Sequence, residues 1–178
     1  MDLAISIQNL SKTYPVPFPR VRAFFRRPVK EPVEALRDVS FDVQPGEIFG
    51  LIGRNGAGKT TLTKIVATLV QPTTGSVAVR GHDSVRDDEY VRREIGLSTA
   101  EERSFYWRLT SEQNLLFFAR LHGLSDRAAN QRIKDLFAKL ELDEVSPRRL
   151  GELSTGNKQR LAVTRAMLSA PPVHLLDE

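Results

Sequence analysis

The sequence contains no cysteine, so disulfides, thiolate nucleophiles and thiolate metal sites are excluded. Histidine is nearly as scarce. Its three scattered residues form no ligand cluster, and any metal is expected to be a hard cation held by oxygen. Long apolar runs are missing too: none approaches the roughly 20 residues that span a bilayer. Met1-Asp2-Leu3 lacks the basic, then apolar, profile of a secretory signal. Together these absences point to a protein made and kept in the cytosol. There is no internal repeat, and compositional bias is confined to one proline-rich tract. What remains is a chain of 178 residues, 40% hydrophobic and 27% charged, enough to bury the core of one ordinary domain but hardly of two. A net charge of +4 and a pI near 9.6 suit nucleic acid, anionic lipid or simple solubility, and do not choose among them.

Patterning along the chain supplies the organisation. Leu3, Ile5 and Ile7 alternate with polar neighbours, as do Val39, Phe41 and Val43, which predicts two half-buried strands, antiparallel and near a sheet edge. Between them, Tyr14 to Glu34 carries prolines at 15, 17, 19, 28 and 32 among arginines, a density that opposes regular structure. Glu47 to Ile52 is a compact apolar run, expected to be a buried parallel strand. Leu62, Ile65, Val66 and Leu69 then recur at helical spacing, with Gln71-Pro72 as the stop. Ser76 to Arg80 and Ile95 to Ser98 read as further strands. A capping-box pattern from Thr110 to Gln113 opens one helix, and Ile133, Leu136, Phe137 and Leu140 mark a second. The pair looks like a helical subdomain, about 102–168, inserted into an α/β core. The closing run Val173-His174-Leu175-Leu176-Asp177-Glu178 is a short apolar strand with two carboxylates at its tip.

The strand at 47–52 leads directly into Gly53-Arg54-Asn55-Gly56-Ala57-Gly58-Lys59-Thr60, which matches G-x-x-x-x-G-K-[ST]. Glycines let the backbone curl so that successive N–H groups face phosphate oxygens, and the following helix adds its positive dipole end. Lys59 would neutralise the terminal phosphates of a nucleotide, the Thr60 hydroxyl would ligate Mg²⁺, and Thr61 would complete the loop. The loop alone does not separate kinase, GTPase, helicase and transporter.

The discriminating segment is Leu153-Ser154-Thr155-Gly156-Asn157-Lys158-Gln159-Arg160. It resembles the LSGGQ signature of ATP-binding cassette ATPases and lies in register between the phosphate loop and Asp177-Glu178. A GTPase would need N-K-x-D, and the residue two positions after Lys158 is Arg160, so guanine recognition is excluded. The resemblance spans nearly the whole chain and implies a P-loop NTPase with a RecA-like mixed sheet core, an N-terminal antiparallel part and an inserted helical subdomain, all in one domain over 1–178 with a loop insert at 15–34. By the same resemblance, Tyr14 stacks on adenine and Asp177 holds Mg²⁺ through water. Glu178 is the catalytic base, and Ser154, Gly156 and Asn157 contact ATP held by a partner domain. The cofactors implied are ATP and Mg²⁺. The partners are a transmembrane permease and a second ATP-binding domain, most simply as a homodimer, peripheral at the inner face of the cell membrane. No nucleic-acid partner is expected.

Two departures from the family pattern stand out. Glu101 occupies the glutamine position of the family's Q-loop, where it either offers an oxygen to Mg²⁺ or is a solvated glutamate; Thr155 and Asn157 replace a glycine and a glutamine of the signature. The Phe105-Tyr106-Trp107 stretch is either a permease contact or subdomain core, and the longer run Glu102-Arg103-Ser104-Phe105-Tyr106-Trp107-Arg108-Leu109-Thr110, on a separate soluble subunit, resembles bacterial exporters of drugs, lipids or polysaccharides. The family also places a further strand after Asp177-Glu178, between that strand and the phosphate-loop strand. On this reading the domain is incomplete at its C-terminal end, and residues 1–178 alone bind ATP weakly and hydrolyse none measurably. Two alternatives stay open: a catalytically incompetent fragment, and a soluble cassette ATPase without a transport role.

Overall fold

The period-two pattern at the N-terminus becomes the longest ladder in the computed structural model, which describes residues 3–15, 31–99 and 105–177. Strand β1 (Ile5–Tyr14) pairs antiparallel with β2 (Val33–Val43), from Ile5 opposite Val43 to Tyr14 opposite Val33. On its other edge β1 pairs antiparallel with β3 (Thr74–Val79), and β3 with the two-residue β4 (His82–Asp83), so the sheet order is β2-β1-β3-β4. Thus β1 is interior and β2 forms the edge. The ladder also extends further into the proline-rich tract than composition suggests. Val33 and Glu34 belong to β2, while most of the remaining tract lies outside the described residues.

The chain divides into two compact units, Met1–Arg92 and Arg93–Glu178. In the first, helix α1 (Lys59–Val66) packs beside β2 and β3 and buries Leu62, Ile65 and Val66. On the sheet side Ile7, Leu10, Val77 and Val79 are buried as well. The helix ends before the predicted stop. Thr68 turns into the left-handed region (φ 62), and the Leu69 and Val70 amides both donate to the Lys64 carbonyl. Leu69, expected on the buried face, therefore lies beyond the helix and is 59% exposed. A short helix α2 (Asp88–Glu94) buries Val91.

The second unit opens with β5 (Ile95–Thr99), paired in parallel with β6 (Val173–Asp177) from Ile95 opposite Val173 to Thr99 opposite Asp177. Between them come α3 (Ser111–Leu121), α4 (Asp126–Lys139) and α5 (Thr155–Ala166). The predicted capping box is complete: Thr110 Oγ1 accepts from the Gln113 amide, and Gln113 Oε1 accepts from the Thr110 amide. Ile133, Leu136 and Phe137 face a core with Leu115, Leu142, Leu150, Leu161 and Leu168. Leu140 caps the end of α4 and packs against the cluster as a partly buried residue. Asn114 is fully buried in α3 and ties down the preceding turn. Its Oδ1 accepts from the Tyr106 amide at 2.8 Å, and its Nδ2 donates to the carbonyls of Tyr106 and Thr110, both at 3.0 Å. Gly96 is required where α5 meets β5, since a Cβ there would lie 2.2 Å from the Ala166 carbonyl oxygen.

The largest departure from expectation is at 47–52. The predicted buried parallel strand is not a strand: no described residue pairs with it, and Ile48 and Ile52 are 99% and 100% exposed. Both described sheets form elsewhere, and a segment becomes a strand only where a neighbouring strand takes up its backbone N–H and C=O groups. Phe49 still stacks on Phe41 of β2, with ring centroids 4.7 Å apart, and anchors the segment at one point. Ile65→Ala is expected to lower the stability of this chain by about 2–5 kcal/mol, while Ile48→Ser changes it by less than about 0.5 kcal/mol. Urea unfolding of the two variants measures that contrast.

Candidate nucleotide-binding site

The phosphate loop lies in the first unit, and its geometry follows from two glycines. Gly56 and Gly58 have φ of 83 and 88, a region that only glycine enters without strain. Gly58 is the N-cap of α1, and it is pressed against the sheet. A Cβ at Gly58 would lie 2.3 Å from the Ala35 carbonyl oxygen and 2.8 Å from Leu36 Cδ2, both on β2. The loop is thus seated against β2 where β2 pairs with the end of β1, the end that carries Tyr14. The Ala57 amide closes a turn onto the Arg54 carbonyl at 3.1 Å. Gly53, Arg54, Asn55 and Gly56 are exposed.

Lys59 turns back into this loop and donates to the carbonyls of Gly53 at 2.6 Å and Arg54 at 3.1 Å. An ammonium has three protons, so one remains for an external acceptor at the mouth of the loop. Thr60 is exposed at the second position of α1, followed by the half-buried Thr61. Tyr14, 39% exposed, ends β1 with the Lys12 ammonium 5.1 Å from its ring centroid. Phosphate loop and tyrosine are therefore brought into one unit.

The other predicted residues belong to the second unit. Ser154 is the N-cap of α5 and accepts from the Asn157 amide at 3.3 Å. That bond uses an acceptor lone pair of the hydroxyl and leaves its proton to be donated elsewhere. Gly156 sits in the first turn with open space where a Cβ would be. Asp177 closes β6. Glu101 and Glu178 lie outside the described residues. No group of three or more His, Cys, Asp or Glu that could hold a metal occurs among the described residues.

Aromatics around α3 divide by burial. Phe105 is core, edge-on to Phe118 at 5.8 Å, whereas Tyr106 and Trp107 are 50% and 64% exposed. Arg165 lies over the rings of Phe105 and Phe118, and burial pushes its pKa below the usual guanidinium value. Sequence reasoning passed over Lys12, Asn114 and Arg165. Only Lys12 left a signal, its i,i+2 spacing from Tyr14 on one strand face.

A family model described as ABC transporter matches residues 36–178. The chain belongs to the ABC transporter family, and its fold is that of the P-loop NTPase cassette. It is 38% identical over 149 residues to the ABC transporter ATP-binding protein NatA of Bacillus subtilis, covering 84% of this chain and 61% of that protein. It is 37% identical over 177 residues to the doxorubicin resistance ATP-binding protein DrrA of Mycobacterium tuberculosis, covering 99% of this chain and 49% of that one. Among solved structures, an ATP-binding cassette seen as a dimer in a post-hydrolysis state with ADP and Pi matches at TM-score 0.79 and 26% identity. That match covers 98% of this chain and 73% of the other. The chain thus spans less than two thirds of the length of these two curated relatives.

The two site glycines have opposite requirements. Gly58→Ala is expected to cost more than about 2 kcal/mol, through the positive φ and the collision with β2. Gly156→Ala meets nothing and leaves stability unchanged or raised by up to about 1 kcal/mol. Thermal or urea unfolding of both variants checks the difference.

Proposed function

We propose that this chain is the ATP-binding and hydrolysing part of an ABC transporter motor, serving an exporter of a drug, a lipid or a polysaccharide. The observation that carries the reading is the seated phosphate loop, with Lys59 folded into it and Tyr14 in the same unit. Membership of a family whose relatives include a drug-resistance ATP-binding protein supports the exporter assignment.

In this reading the loop amides and the helix dipole of α1 bind the nucleotide phosphates, and the third Lys59 proton goes to a phosphate oxygen. Tyr14 stacks on the adenine. Thr60 and Asp177 would hold Mg²⁺, with Glu101 as a further oxygen, and a bound ion would neutralise phosphate charge. Glu178 orients and deprotonates the attacking water. Ser154 donates its hydroxyl proton to the terminal phosphate of ATP on a partner copy, with the Gly156 amide beside it and Asn157 completing the signature. A site therefore needs two copies docked head to tail. No helix among the described residues is long and apolar enough to cross a membrane. Attachment at the cytoplasmic face is assigned to a permease subunit, for which the exposed Tyr106 and Trp107 offer apolar contact area.

The unpaired 47–52 segment favours a second reading for residues 1–178 taken alone, namely nucleotide binding without turnover. The segment that leads into the phosphate loop has no ladder partner among the described residues, so the loop is held chiefly through Gly58 and β2. Binding of a fluorescent ATP analogue, displaced by ATP and lost at least tenfold in Lys59→Ala, is the expected result. Lack of saturable binding would sink the nucleotide assignment. Phosphate release well above background by the 178-residue protein, abolished in Glu178→Gln, would overturn the no-turnover reading.

A further inference from the structure

Lys12 is tied at both ends of its side-chain reach. Its ammonium lies 5.1 Å from the Tyr14 ring centroid, within the distance at which a cation is held by an aromatic face. The same ammonium donates to the Gln71 carbonyl at 2.7 Å. Gln71 follows α1, the helix that the phosphate loop opens, and the same connection is bonded to β1 again: the Thr13 amide donates to Thr73 Oγ1 at 3.0 Å. The β1 register against β2 shifts on both sides of Lys12, between Leu10 and Lys12 and between Lys12 and Thr13. Such irregularities re-aim side chains. Tyr14 is the last residue of its strand and 39% exposed.

We propose that Lys12 is a positioning residue for nucleotide binding: it braces one face of the Tyr14 ring against the turn after α1 and leaves the other face to receive the base. This rests on the reading of Tyr14 as the adenine platform. Lys12 itself touches no part of the nucleotide in this arrangement. It sets the platform relative to the phosphate loop, because the turn that anchors it is continuous with the loop's helix. An ammonium on one face also holds the ring flat to the opposite side, where an adenine would stack.

The test compares affinities of the 178-residue protein for MgATP and for inorganic tripolyphosphate, which has no base, in Lys12→Met, Lys12→Arg, Tyr14→Ala and the Lys12→Met/Tyr14→Ala double variant. Lys12→Met is expected to weaken MgATP binding about threefold, the equivalent of one exposed cation–π contact. Tripolyphosphate binding stays unchanged, Lys12→Arg restores the parent affinity, and the double variant is no weaker than Tyr14→Ala. Unchanged MgATP affinity in Lys12→Met, with a loss in Tyr14→Ala, overturns the positioning role and spares the platform. Equal losses for MgATP and tripolyphosphate in Lys12→Met overturn it as well, because the lysine would then act through the fold or the phosphates. No loss in Tyr14→Ala overturns the platform reading itself. Melting temperatures of all variants, expected to match the parent, separate these results from unfolding.

Discussion

The approach of Gly58 to the Ala35 carbonyl is the constraint on which the phosphate loop's position, and with it the proposed nucleotide site, depends. With 2.3 Å between that oxygen and the place a Cβ would occupy, a hydrogen is the largest substituent the junction admits. Backbone against backbone, α1 starts at a fixed point on β2, and the phosphate loop inherits its position from a sheet that does not contain it. The β1–β2 ladder then carries that position to Tyr14, since Tyr14 pairs with Val33 only two residues from Ala35. Loop and tyrosine are coupled through hydrogen-bonded backbone, which is stiffer than any side-chain contact between them would be.

The second unit reaches order by a different route. Its helices are short and capped by their own side chains: Thr110 with Gln113, Ser125 with the Ala128 amide, and Ser154 with the Asn157 amide. Caps fix where each helix begins, and the leucine-rich cluster fixes how they pack. Ser154 caps α5 by accepting from the Asn157 amide, and because its hydroxyl keeps a proton to donate, the cap is compatible with the proposed phosphate contact. Opposite charges reinforce the α3–α4 connection, where Arg120 meets Asp126 and holds its carboxyl below the usual carboxylate range.

Much of this was legible in the residues. The capping box, the paired strands, the phosphate loop and the closing strand at Asp177 all rest on local rules, in which a few neighbouring side chains decide the outcome. The failures have physical causes of a different kind. Glu47 to Ile52 has the composition of a buried strand, but strand formation needs a partner supplied by another part of a chain, and among the described residues there is none. Leu69 fits the helical period of α1, yet a left-handed Thr68 ends the helix first. Lys12 looks like any surface lysine until the turn after α1 is folded back onto β1.

By itself, then, the sequence determined most of the helices and paired strands, where the phosphate-loop and signature motifs lie along the chain, and which residue types they present. These are matters of period, cap and glycine placement within a few residues of chain. Tertiary structure alone decided that Gly58 locks the loop to β2, that Phe105 is core while Tyr106 and Trp107 face solvent, and that an apolar strand sequence can stay unpaired. Such outcomes depend on groups far apart in the chain meeting at one place, and burial or pairing is a property of that meeting rather than of either segment.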